Sequence, residues 1–252
     1  MAKYRPTSIP PPWLQRIWFD PDVAIDRSDY PFCLPLFRDP EFELIFDQPI
    51  TIIVGENGSG KSTLLEAIAE LAGFDQAGGA VGHYAVDQSK ARADDGGSLA
   101  IALKASWLPK MGRGWFFRAE TFFSVARYLD DAGSLTADFL SHSHGEGFMR
   151  LFTERCNRQG LFIFDEPESA LSPQRQFEFL QFIHSMNQQG QMQAIIATHS
   201  PILMALPNAR LLQIDRQGLV PVTLQETSHY RLMREFILDP AGTVDAMFAG
   251  SN

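Results

Sequence analysis

Two stretches of this chain combine residue types that hold phosphate and activate water. Gly55-Glu56-Asn57-Gly58-Ser59-Gly60-Lys61-Ser62 satisfies G-x-x-x-x-G-K-[ST] in full. Glycines in such a loop let the backbone turn its N–H groups onto a β-phosphate without Cβ clashes. Lys61 would reach the β- and γ-phosphates, Ser62 would coordinate Mg2+, and Thr63 could touch the α-phosphate. The second stretch is Leu161-Phe162-Ile163-Phe164-Asp165-Glu166, an apolar run that ends in paired acids. Asp165 suits Mg2+, directly or through water, and Glu166 suits a general base that polarises an attacking water.

These residues need elements to position them. Thr51 to Val54 is a short apolar, β-branched run that reads as a buried strand entering the glycine-rich loop. Leu64, Leu65, Ile68 and Leu71 then recur at helical spacing, so a helix is expected over Ser62–Leu71, with Gly73 as its C-cap. The start of that helix adds a favourable dipole for an anion. Leu161–Phe164 is a second buried strand, and ligands of open α/β sheets bind at the carboxyl ends of such strands.

Further strands are expected at Leu99–Ala105, Trp115–Arg118, Ala194–Ala197 and Arg210–Asp215. Helices are expected over Glu120–Leu129, from Phe148 towards Arg158, over Pro173–Asn187 and over Thr227–Leu238. This alternation points to an α/β fold with a mostly parallel sheet flanked by helices. Residues 13–54, broken by prolines, read as short strands and turns, which gives an N-terminal antiparallel β element over about residues 1–50. Residues 73–98 are rich in Gly, Ala and Asp and read as a mobile insertion.

Composition removes several classes of function. The 252 residues are 45% apolar and 20% charged, as expected of a globular chain able to bury a core without staples. Cys33 and Cys156 lie far apart and in no metal spacing, so a reducing, cytoplasmic compartment is expected. No apolar run approaches the ~20 residues of a membrane span, and the prolines at 10, 11 and 12 interrupt any signal-peptide helix. A net charge of −9 gives no support to an extended nucleic-acid footprint and leaves room only for a local basic patch.

The order of motifs resembles that of ATP-binding-cassette (ABC) ATPases, of the stand-alone AAA or RecF-like kind. Gly55–Ser62 resembles the Walker A loop, and Asp165-Glu166-Pro167 resembles Walker B with its catalytic glutamate. Ser143-His144-Gly145-Glu146 resembles a degenerate Leu-Ser-Gly-Gly-Gln signature, and Ser169-Ala170-Leu171-Ser172 resembles the D-loop. Thr198-His199-Ser200 resembles the switch histidine. The resemblance covers roughly residues 30–215. It implies a P-loop fold, ATP and Mg2+ as cofactors, and a homodimer that sandwiches two ATP molecules. Ser143, Gly145 and Glu146 of one copy would face the triphosphate bound by the other, and His199 would contact the γ-phosphate. His144 and Glu146 depart from the signature, and the alternative reading of Ser141–Gly147 is a polar loop and helix cap.

Where the family has a Q-loop glutamine, this chain has Trp115-Phe116-Phe117-Arg118-Ala119-Glu120. Glu120 either replaces that glutamine as a Mg2+ or water contact or caps a helix. Arg118 is either a phosphate or interface cation or half of a surface ion pair. Tyr30 is a candidate for stacking on adenine, with core packing as its alternative.

The expected function is Mg2+-dependent ATP hydrolysis by a dimer that powers or switches a partner. The alternatives are the ATP-binding subunit of a membrane transporter and a RecF-like DNA-repair or defence ATPase head. No heptads lie between Lys61 and Ser143, which weighs against an SMC-like coiled-coil head. One nucleotide-binding head is expected to fill residues 1–252, so a partner protein is expected to supply the output.

Overall fold

The apolar runs become strands of two sheets that share the chain unequally. The computed structural model describes residues 7–76, 78–80, 96–119, 144–216 and 218–249. The strands are β1 (Leu14–Phe19), β2 (Glu43–Ile45), β3 (Ile50–Val54), β4 (Leu103–Trp107), β5 (Gly114–Arg118), β6 (Gly160–Asp165), β7 (Met192–Ala197), β8 (Arg210–Asp215) and β9 (Gly218–Pro221). The described α-helices are α1 (Lys61–Ala72), α2 (Gly96–Ala102), α3 (His144–Arg155), α4 (Pro173–Gln188), α5 (Pro201–Met204), α6 (Ser228–Leu238) and α7 (Pro240–Ala249).

The main sheet runs β5-β6-β7-β3-β8-β9. All its pairings are parallel except β8 with β9. The central strands β3, β6 and β7 are buried along their whole length, as an all-apolar run demands of a sheet covered on both faces. Alternation along these strands splits the core in two. Ile53, Phe116, Leu161, Ile163 and Ile195 face the layer that holds α1 and α2. Ile52, Val54, Phe117, Phe162 and Phe164 face the layer that holds α3 and α4.

The smaller sheet is antiparallel, in the order β2-β1-β4. The expected N-terminal β element is therefore completed by a strand from beyond residue 100. Gln193 stitches the two sheets together. Its Oε1 accepts from the N–H groups of Trp13 and Leu14, both at 2.8 Å, and its Nε2 donates to Leu14 O at 2.7 Å. This amide is 1% exposed, and the three hydrogen bonds offset its burial.

Two expectations need correction. Leu99–Ala105 is not a single strand: α2 occupies Gly96–Ala102, and only then does β4 begin at Leu103. The alternation of Leu99, Ile101 and Leu103 suggests one strand face, yet Ile101 is 72% exposed while Leu99 and Ala100 are buried. Packing against α1 selected the helical period over the period of two. The helix expected from Phe148 starts at His144, so Gly145 and Glu146 lie in its first turn. The Glu120–Leu129 helix and most of the 73–98 insertion lie outside the described residues. The remaining expected elements form within a few residues of their expected bounds, with Gly73 closing α1.

Phe152 on α3 is the hub of the second core. Its ring lies 4.6 Å from Phe117, 5.1 Å from Phe164 and 5.2 Å from Phe179, centroid to centroid. These contacts seat β5 and β6, whose ends carry Arg118 and Asp165. Phe152→Ala is expected to cost about 3–5 kcal/mol of folding free energy. Urea unfolding checks this, and a loss below about 1 kcal/mol, the ordinary scale of a point mutation, would show that the cluster does not seat those strands.

Candidate functional site

Strand register brings the chemistry to one edge. Arg118 on β5 is level with Asp165 on β6, Asp165 is level with Ala197 on β7, and Ala197 is level with Ile53 on β3. The four chains therefore leave the sheet side by side, at its carboxyl end. The glycine-rich loop follows β3, the paired acids follow β6, and Thr198-His199-Ser200 follows β7.

The loop is wrapped around the amine of Lys61, which donates to Gly55 O at 2.9 Å and Glu56 O at 3.0 Å. Gly60 has φ +100° and caps the start of α1, a conformation that a side chain would strain. Burial pushes the Lys61 amine below its ordinary range, against the pull of Glu166, Asp165, Glu168 and Glu56. Ser62 Oγ donates to Asp165 Oδ1 at 3.2 Å. The first-turn serine and the strand-end aspartate thus form an oxygen pair. Among the described residues no cluster of three or more His, Cys, Asp or Glu could hold a metal ion alone. That is the ordinary situation for Mg2+, which binds through one or two protein oxygens together with water and phosphate.

Arg118 is not a surface cation. It is 8% exposed and forms an ion pair with Glu66 of α1 at 2.5 Å, while its Nε lies 3.6 Å from Asp165 Oδ2. This buried Glu66–Arg118–Asp165 line sets one guanidinium between two carboxylates beneath the loop, where each charge is offset by an opposite one. A cavity of about 440 Å3 opens above it, lined among others by Tyr30, Gly58, Lys61, Ser62, Arg118 and Glu166.

Glu166 leaves β6 in the left-handed region, with φ 48° and ψ 53°. A non-glycine residue held there stores strain, and such residues concentrate at functional sites. The turn is pinned by Ser169, whose backbone N–H and Oγ both donate to Glu166 O, at 3.1 and 2.6 Å. The Glu166 carboxylate lies 3.4 Å from His199 Nε2. Burial, followed by the nearby Lys61 amine, lowers the His199 pKa and keeps the ring neutral at pH 7.

Two residues at this site carry no motif signal. Glu168 accepts the His199 backbone N–H at 2.5 Å and so ties the turn after β6 to the turn after β7. Burial raises its pKa. Its only trace in the sequence is a third acid close behind Asp165-Glu166. His229, in the first turn of α6, places Nε2 3.0 Å from His199 Nδ1. Nothing in its spacing could have revealed this. Glu66 did leave a sign, as a charged residue among the buried Leu64, Leu65 and Ile68 of α1.

The remaining expected residues are dispersed. The Tyr30 hydroxyl lies 2.9 Å from Thr63 Oγ1, and its ring is 44% exposed at the cavity, so it is not packed in the core. Glu56 and Asn57 are exposed on the loop, and Ser59 lies partly covered beneath it. Glu146 pairs with Arg175 of α4 at 3.1 Å and does not line the loop's cavity. Gly145 is placed in α3, whereas Ser143 and Glu120 lie outside the described residues.

Two family models match the segments that build this edge. An AAA domain model matches residues 35–78. A second AAA domain model, whose description also carries the names of the AbiEii toxin and type IV TA systems, matches residues 140–205. No curated protein matches the chain. Among solved structures, the chain is similar to one described as a metal-chelate type ABC transporter in an inward-facing conformation. That match has 18% identity over 76% of this chain and 79% of the other, with a TM-score of 0.44. It is also similar to a dimeric bacterial ABC transporter cassette, with 14% identity over 74% of this chain and 90% of the other and a TM-score of 0.41.

Glu168 yields a pH prediction. Its carboxyl binds a proton more tightly in the folded chain than at its ordinary value of 4.5. Its contribution to stability is therefore complete below 4.5 and lost as pH rises through the raised, folded value. Glu168→Gln keeps an oxygen for the His199 N–H. It is expected to fold and to gain on the unaltered chain as pH rises from 4.5 towards neutrality. Urea unfolding at a series of pH values measures the difference, and a difference that stays flat contradicts the assignment.

Proposed function

We propose that this chain, a P-loop ATPase of the AAA/ABC type, binds ATP with Mg2+ and hydrolyses it at the carboxyl edge of the main sheet. The observation that carries the reading is the meeting at one edge of three pieces from distant parts of the chain: the Lys61 loop, the Ser62–Asp165 oxygen pair and the Glu166–His199 pair. We read residues 1–252 as a single ATPase domain acting in the cytoplasm.

The residues present fit the ligand. The Gly55–Ser62 loop offers backbone N–H groups and an amine to the phosphates, with the α1 N-terminus behind them. Lys61, now folded back onto loop carbonyls, would exchange those weak partners for β- and γ-phosphate oxygens. Thr63 and the exposed Tyr30 ring beside it are candidates for the α-phosphate and the adenine. Ser62 and Asp165 would hold Mg2+, with Glu120 as a further candidate. When bound, the ion supplies charge neutralisation for the β- and γ-oxygens. Glu166, held out of the strand by its left-handed backbone, would orient a water and take its proton. His199, neutral and beside Glu166, would donate to the γ-phosphate.

We read the working unit as a homodimer sandwiching two ATP molecules, in which Ser143, Gly145 and Glu146 of the second copy complete each site. Within one chain Glu146 pairs with Arg175 and does not line the loop's cavity. No helix among the described residues is long and apolar enough to cross a membrane. The apolar side chains that α6 and α7 expose, Phe236, Ile237, Leu238 and Phe248 among them, support the reading that the head drives or switches a partner protein. Nucleic acid as the partner draws no support from the charge.

The unaltered protein is expected to hydrolyse ATP only with Mg2+. Lys61→Ala is expected to lose ATP binding, and Glu166→Gln to bind ATP but turn it over at least about 100-fold more slowly. A phosphate-release assay measures this, and equal turnover in all three proteins would overturn the mechanism. Glu166→Gln with ATP and Mg2+ is expected to elute as a dimer in size-exclusion chromatography. A monomer under those conditions rules out the homodimeric sandwich.

A further inference from the structure

We propose that His229 is a positioning residue that sets the tautomer of His199, so that Nε2 carries the proton and faces Glu166. The inference rests on the reading above for its catalytic meaning, but its structural content stands apart from that reading.

His199 is held on two sides. Its backbone N–H donates to Glu168, and its Nδ1 meets His229 Nε2 at 3.0 Å, with the rings tilted 57° to one another. A contact of that length between two ring nitrogens is a hydrogen bond only if one donates and the other accepts. Two assignments satisfy it. In the first, His199 Nδ1–H donates to His229, and a neutral His199 then presents a bare lone pair at Nε2. That lone pair would face Glu166 Oε1 across 3.4 Å, acceptor against acceptor. In the second, His229 Nε2–H donates to His199 Nδ1, and Nε2–H of His199 faces the carboxylate. Only the second arrangement is attractive at both nitrogens.

His199 Nε2 is also buried and completes no hydrogen bond in this state, so its proton is not committed to a hydrogen-bond partner. The tautomer that suits Glu166 is thus the one able to donate to a phosphoryl oxygen.

The placement of His229 is built into the fold. Thr227 is fully buried and caps α6, its Oγ1 donating to Leu224 O at 2.8 Å and accepting from Tyr230 N–H at 3.3 Å. Just upstream, Thr223 and Glu226 form a reciprocal capping box. His229 sits inside the first turn that these caps fix, which holds its backbone beside the turn after β7. The helix after the sheet therefore reaches back to the turn after β7 and specifies which nitrogen of its histidine is the donor. A ring nitrogen whose partner fixes the opposite nitrogen is a recurring device for orienting imidazoles.

Nitrogen NMR of isotope-labelled histidines tests this directly in the protein without nucleotide. The His199 resonances are identified by their loss in His199→Gln. The expected result is one His199 tautomer, protonated at Nε2 and bare at Nδ1. In His229→Phe, which keeps an aromatic ring but no donor, His199 is expected to become a mixture. His229→Gln, whose amide can donate to Nδ1, is expected to restore the single form. In steady-state assays His229→Phe is expected to lower kcat at least about tenfold, the equivalent of one hydrogen bond, with KM little changed, and His229→Gln to recover most of it. A bare Nε2 in the unaltered chain, or an unchanged tautomer in both variants, overturns the inference. An unaltered chain that never hydrolyses ATP overturns the proposed function instead, and the tautomer measurement still decides the role of His229.

Discussion

Arg118, Asp165, Ala197 and Ile53 are level with one another across four parallel strands, and everything at the edge depends on that register. A shift of one residue in any pairing would exchange the side chains that face the two helical layers and carry the strand-end side chain to the wrong side of the sheet. The apolar core resists such a shift from both sides, with Ile53, Ile163 and Ile195 in one layer and Val54, Phe164 and Ile196 in the other. Packing energy spent on the core is therefore what gives the polar edge its geometry.

That edge gathers opposite charges, most of them buried. Lys61 and Arg118 stand against Glu66, Asp165, Glu166 and Glu168, and four of these six side chains lie on strand ends or on the helix that follows a strand. At such a place each charge is tolerable only because of its neighbours. Burial pulls down the Lys61 amine and raises the Glu168 carboxyl, while ion pairing secures Arg118. The overall charge of −9 says nothing about this site, whose positive end is made locally by loop N–H groups and the Lys61 amine.

The turns after β6 and β7 behave as one unit. Glu168 binds the backbone of His199, Ser200 Oγ donates to Gln176 on α4 at 2.5 Å, and Ser172 caps that same helix. His229 adds α6 to the set. The backbone of His199 is thus held by Glu168 and its ring by His229, while apolar side chains further along α6, Phe236, Ile237 and Leu238 among them, stay exposed. A histidine held this way has a defined direction and a defined proton.

The sequence alone determined the parts whose signal is local. The loop Gly55–Ser62 is legible because backbone turns and a helix start must be adjacent in the chain, and Asp165-Glu166 is legible because a buried strand writes its apolar run in consecutive residues. The strands β3, β6, β7 and β8 and the helices α1, α4 and α6 followed from the same local periodicities. Tertiary structure decided the rest, because it concerns contacts between residues far apart. Arg118 stays open between a phosphate or interface cation and a surface ion pair until β5 is laid beside β6. Ile101 reads as a strand residue until α2 is packed on α1. Glu168 and His229 have no pattern at all, since a hydrogen bond to His199 from 31 or 30 positions away imposes no spacing that a sequence could display.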